Sequence, residues 1–436
     1  MEDNNKLIPF AQNNLVKKVN TSIAITNKLI AENNRQLVKE IFENNPKLFI
    51  DLISKYYQLN ETIIYKHQDY LNWGLISSNK NLKWSEELIE KYEHRWDIID
   101  WIELSKNVSL PWTPKLIEKY EIKWDDWDWI GLSLNSNIPW TSQLITKYKS
   151  KWDWLLLSHN KSIPWTQSLL EQHKNEWNWK SLSNNQSLPW SIELINEYKK
   201  LWDWSLLSHN PNLPWSIDIL EYFYSEWDWE SLSSNESLPW SLDFLKKFKS
   251  NFKWNCVGVC HVNNIPWSRE LVDEFKDLID WNCISKNKSF PWDIKLMNQY
   301  SNKLKWHNIS KNIGIPWSIE LIDYFYDKWD WEELSLNENL PWSISFFENY
   351  INKWNWQSLS ENKNLPWSIC FIKKYYNNWD WKKLESNPGL PWSVTFINEN
   401  LSNLNIDSPI IWNTVKEYID ENFILELINR NFIFKK

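Results

Sequence analysis

Tryptophan returns along this chain at fixed intervals. Twelve Pro-Trp pairs end at Trp112, Trp140, Trp165, Trp190, Trp215, Trp240, Trp267, Trp292, Trp317, Trp342, Trp367 and Trp392, and Lys83-Trp84 is a degenerate thirteenth. Most intervals are 25 residues; the first two are 28, and Trp240 to Trp267 is 27. A second series, from Trp73 to Trp381, runs about 11 residues ahead of the first. The typical unit reads WDWxxLSxNxxLPWSxELIxxYxxx. So short and regular a period restricts the chain to stacked repeats, each burying its apolar face only against its neighbours.

Local chemistry divides the unit into two helical pieces. In Trp190-Ser191-Ile192-Glu193-Leu194-Ile195, Ser191 suits an N-cap and Glu193 the positive end of a helix dipole. Trp190 and Ile195 have the spacing of a hydrophobic staple. Leu194, Ile195, Tyr198 and Trp202 fall on one face, so helix B should run for about ten residues. Asp203 and its equivalents are N-cap types again, and predict a short helix A from Trp204 to Ser208. Asn210 ends it, an expected left-handed C-cap. Pro214 blocks further helix and leads into Trp215.

The expected fold is all-α: an elongated solenoid of about thirteen 25-residue Trp-rich two-helix repeats over residues 71–400. Residues 1–70 and 401–436 lack the motif but keep helical patterning, and read as helical caps. A short α or 3-10 turn followed by a longer helix is similar in architecture to the leucine-rich variant repeat. The WDW and PWS motifs themselves point to no specific family. LSxNxxLP also resembles the leucine-rich repeat horseshoe. That fold needs apolar residues five before and two after the Asn, where this chain has Ser205 and Asn212, or Lys180 and Ser187. Two irregularities stand out: three extra residues in the first two full repeats, as at Trp124-Asp125-Asp126-Trp127, and two between Trp254 and Pro266.

With 37 tryptophans, a ladder of exposed rings for sugars or bases must be weighed against a core. Ordering a repeat of 25 residues costs about 1.5 kcal/mol per residue. Offsetting that at about 25 cal/mol per Å² requires on the order of 1,500 Å² of buried apolar surface. A Trp buries about 150–250 Å², so a unit this small needs nearly all its rings inside. The Asn equivalent to Asn210, and the Ser two residues before it, read as structural polar groups.

Net charge is -8, and arginine occurs only at Arg35, Arg95, Arg269 and Arg430. Nucleic-acid binding wants clustered basic surface, so it is not expected. MEDNNKLIPF has no basic region before an apolar run, no stretch of 18 apolar residues occurs, and only four cysteines are present. These features predict a reduced, cytoplasmic protein without a membrane span.

No nucleophile elbow, P-loop, HExxH or dinucleotide fingerprint occurs, so no catalysis and no cofactor is expected. One irregular joint could hold a metal. In Trp254-Asn255-Cys256-Val257-Gly258-Val259-Cys260-His261, Cys260 takes the place of the usual Asn and Gly258 that of the Ser, with Cys283 one repeat on. Cys256, Cys260, His261 and Cys283 are a weak zinc candidate, since their spacing matches no known zinc signature.

The expected function is a non-catalytic scaffold that binds a protein or peptide along the solenoid. A fixed core with variable exposed positions is the pattern of such scaffolds. The candidate contacts lie on helix A: Leu155, His159, Lys180, Asn184, His209, Glu230, Lys286, Lys311, Glu332, Glu333, Gln357, Glu361 and Lys382. The alternative is carbohydrate or small-ligand binding through exposed aromatics.

Overall fold

A computed structural model describes residues 7–123, 126–405 and 408–430, with side chains from residue 23 onward except those of 126 and 127. Residues 1–6, read above for a leader, and the Trp124–Trp127 side chains lie outside that description. No strand occurs among the described residues, which excludes the horseshoe there. The chain forms two compact units: residues 73–366, and residues 1–72 together with 367–436.

The first of these units is a succession of paired short helices. Helix A of the repeat at Trp204 runs Trp204–His209, capped by Asp203, whose carboxylate accepts the Leu206 N–H. Helix B of the preceding repeat runs Ile192–Glu197, capped by Ser191 through the Leu194 N–H. It has six residues, where the sequence predicts about ten. At Tyr198 the backbone leaves helical geometry (φ -106°, ψ 25°), and a turn swings Trp202 back under the helix. Leu194, Ile195, Tyr198 and Trp202 are all buried, as their common face requires. Successive A helices pack directly on one another, whereas successive B helices stand further apart.

In most repeats three indoles form a compact group; Phe252, Ile279 and Leu304 take the third place in three others. Trp202 meets Trp179 edge-on at 4.9 Å between ring centroids and Trp190 at 5.1 Å. The same trio recurs as Trp204, Trp227 and Trp215, and as Trp306, Trp329 and Trp317. None of the tryptophans with described side chains is exposed. Most of their N–H groups end on backbone carbonyls: Trp202 on Ile195, Trp204 on Lys199, Trp215 on Asn210. Burying an indole this way leaves no donor unmet.

Two polar ladders join the repeats. Asn210 is fully buried. Its Nδ2 donates to the carbonyls of Ser183 (3.0 Å) and Asn185 (3.3 Å) in the preceding repeat, and its Oδ1 accepts the Asn212 N–H. Equivalent cross-repeat bonds recur from Asn107 to Asn362. Asn210 is not left-handed (φ -70°, ψ 119°), and no described residue has positive φ. The Asn therefore ends helix A through its side chain, not through its backbone. The second ladder is serine. Ser208 Oγ donates to the Trp204 carbonyl and accepts the Asp228 N–H of the next repeat.

The other unit joins the two motif-free regions to the last repeats. Helices Leu7–Glu43, Pro46–Tyr56 and Glu61–His67 share a core with Val394–Glu399, Pro409–Val415 and Glu421–Ile428. Phe49 lies 5.1 Å from Phe42 and 6.0 Å from Phe423, and Tyr56 lies 5.9 Å from Trp412. Arg35 makes a two-pronged bond to Asp420 (2.9 and 2.8 Å), Arg430 reaches Glu43 at 3.0 Å, and Lys39 pairs with Glu426.

Candidate partner-binding surface

Helix A has three variable places, which follow its Trp by one, two and five residues. The first and third are four apart and therefore share a face. The structure places them outward together: Leu155 with His159, Lys180 with Asn184, His307 with Lys311, and Gln357 with Glu361 are all exposed. His209, Glu230, Lys286 and Glu332 are exposed in the same register, and so is Lys382, which belongs to the other unit. The middle place turns toward the neighbouring repeat. Ser181, Cys283 and Ser358 are buried there, and so is Glu333 at 8% exposure. Glu333 is thus a correction to the sequence reading, which counted it as an outward contact.

Glu333 instead ties two repeats. Lys311 reaches its carboxylate at 2.8 Å and His307 at 3.5 Å. His307 also bonds Asp330 at 2.8 Å. Partial burial of Asp330 favours protonation. The His307 bond and the backbone N–H groups of Glu333 and Glu332 outweigh it and hold the carboxyl below its ordinary value. Similar cross-repeat contacts join Ser205 to Ser231, and Asn308 to Asn282. Some of the variation along helix A is therefore matched between neighbours and is not directed outward.

The outward places are grouped by chemistry along the row. Leu134 and Leu155, each 50% exposed, make an apolar pair. His159, Lys180, Asn184 and His209 follow. Beyond Glu230 come Lys286, His307 and Lys311, and then Glu332, Leu336, Gln357 and Glu361.

The four proposed zinc ligands do not assemble as a set. Cys256 and Cys283 meet in a disulfide with Cα atoms 4.9 Å apart. Cys260 is separate and fully buried; its thiol donates to the Trp254 carbonyl at 3.0 Å, and burial pushes its pKa up to about 12. His261 is exposed. The sequence register at this joint was also two residues out. Asn287 donates to the Cys260 and Val262 carbonyls, as Asn210 does to Ser183 and Asn185. Cys260 therefore holds the Ser place and Val262 the Asn place, and the extra residues form a bulge at 255–258. The bulge puts Cys256 over Cys283, which spacing alone could not reveal. Asp280 completes a group with them: its carboxylate and the two sulfurs lie within 4.8 Å of one another.

Among the described residues, no helix is long and apolar enough to cross a membrane. Compared with known proteins, the sequence matches no family model, no curated protein and no solved structure, so the repeat architecture rests on the residues themselves.

Proposed function

We propose that this protein is a non-catalytic scaffold that binds an extended protein segment across the outward places of its A helices, in a cytoplasmic setting. One observation carries the reading. In most repeats the tryptophans, the Leu, the Ser and the Asn are taken up by packing and by the ladders, while the two outward places stay exposed or half-exposed and differ from repeat to repeat. Such a row offers a partner one pair of side chains per repeat on a fixed frame, and binding costs little ordering of the scaffold.

The grouping of these residues specifies the segment. Its apolar part faces Leu134 and Leu155, its acidic part faces Lys286, His307 and Lys311, and its basic part faces Glu332 and Glu361. The carbohydrate reading has less support. It relied on exposed indoles, and the large aromatics left at the surface are scattered tyrosines such as Tyr222 and Tyr324.

Selection from a random-peptide display library on the full-length protein tests the proposal. The expected result is enrichment of segments with acidic and basic blocks in that order. A variant with Lys286 changed to Glu should lose those acidic segments and select basic ones. Recovery of the same peptides on both proteins, or no enrichment on the wild type, would overturn it.

A further inference from the structure

We propose that the bulge at 255–258 carries a redox-gated metal site: on reduction of the Cys256–Cys283 disulfide, the two thiolates and the Asp280 carboxylate bind a zinc-class divalent ion. The three donors come from two successive repeats, and their ligand atoms lie within 4.8 Å of one another.

The donor set is suited to such an ion. Two thiolates select borderline and soft metals over magnesium or calcium, and a carboxylate is a common third ligand. Three protein ligands leave a fourth position for water or an outside ligand, the form of an open zinc site. Asp280 already has a fixed orientation. Its Oδ1 accepts the N–H groups of Asn282 and Cys283 as a helix cap, and Oδ2 takes no part in the cap. Approach is from one side: Cys256 is exposed, Asp280 half-buried and Cys283 buried.

The architecture does not need a cross-link here. Elsewhere on the row the middle place holds residues such as Ser181, Leu206, Ser231 and Asn308, and the ladders join those repeats without one. The bulge is itself a built feature. A Cβ at Gly258 would lie 2.0 Å from the Lys253 carbonyl oxygen, so a larger residue would displace the backbone that carries Cys256.

The chemistry balances. A dithiol reductant supplies two electrons and two protons, the S–S bond opens to two thiols, and the reductant closes to its own disulfide. The metal ion then displaces both thiol protons as it binds. In a reducing compartment the dithiol form prevails, so metal and disulfide are alternative links between the same two repeats.

The test uses full-length protein reduced with a phosphine, which is not itself a thiol, and titrated with Co²⁺. Thiolate-to-cobalt absorption should rise to one equivalent in reduced protein, stay absent in oxidised protein, and be displaced by Zn²⁺. Cys256→Ser should abolish it. Asp280→Asn keeps a residue able to cap the helix, so the metal-free protein should unfold as wild type does. It should weaken Co²⁺ by about tenfold or more, the scale on which even an indirect partner of a metal site acts. Equal absorption in Cys256→Ser, equal binding by oxidised protein, unchanged affinity in Asp280→Asn, or no absorption in reduced wild type would each overturn the proposal.

Discussion

Asn210 uses its side-chain donors and acceptor and both backbone groups: its N–H bonds the Leu207 carbonyl, and its own carbonyl takes the Trp215 indole. Asn210→Val, which copies the natural Val262, keeps a buried side chain but strands the groups the amide served. Each stranded group costs about 1–3 kcal/mol, so an overall loss of about 2–4 kcal/mol is expected in urea unfolding; a loss below about 0.5 kcal/mol would show that the ladder contributes little. His173 stands where other repeats have Tyr or Phe, between Trp154 and Trp177. Burial holds its pKa below 6.5, so the unfolded chain takes up the proton more readily. Its share of stability is full above 6.5 and is lost as the pH falls below that value. His173→Phe should flatten the loss of stability between about pH 7 and pH 5, and equal slopes for both proteins would contradict the assignment. The sequence revealed that the Asn is structural but not how it acts. A strict period makes a bond within one repeat and a bond to the next look the same.

At the scale of the helix, the caps were legible because each depends on neighbours three residues away. The end of helix B was not. Tyr198-Lys199-Lys200-Leu201 contains no breaker and would continue a helix on local preference. Tertiary packing overrides that preference, since Trp202 must return under its own helix to meet Trp179 and Trp190. Two serines separate the local effect from the cross-repeat one. Ser191→Ala removes a cap at the half-exposed start of a helix and should cost about 1 kcal/mol. Ser208→Ala removes a fully buried hydroxyl and strands the half-buried Asp228 N–H of the following repeat, and should cost more, about 1–3 kcal/mol. The ordering is checked by thermal unfolding, and the reverse ordering would refute a connecting role for Ser208. The outward face of helix A was mostly legible from residue variation. Glu333 was misread because variation does not distinguish a solvent position from one matched to the next repeat.

At the scale of the chain, residues 1–72 and 367–436 form one body, a pairing that no periodic signal could indicate because neither motif-free region repeats. Its apolar contacts carry the stability. Arg35 and Asp420 are too exposed for their ion pair to contribute much. The Arg35 bond does hold the Asp420 carboxyl below 3.8, so what it contributes is present above that pH and lost as the pH falls below it. Removing residues 1–60 would uncover Phe423 and Trp412. Limited proteolysis of that protein should then cut rapidly between residues 400 and 428, where the intact protein resists. Equal resistance would mean that the C-terminal helices hold without the N-terminal ones.

The indole trios have an optical consequence. Rings about 5 Å apart, one pair near perpendicular and the other tilted by about 55°, exchange excitation faster than they emit, so the rings of a trio share their emission. Its coupled transitions should add a paired band to the circular dichroism that does not come from the backbone, with a sign set by the fixed ring geometry. Emission should be depolarised even in rigid protein. Substituting one tryptophan would alter the signal of its whole trio, so the light this protein emits reports how many repeats are intact and not the state of any single ring.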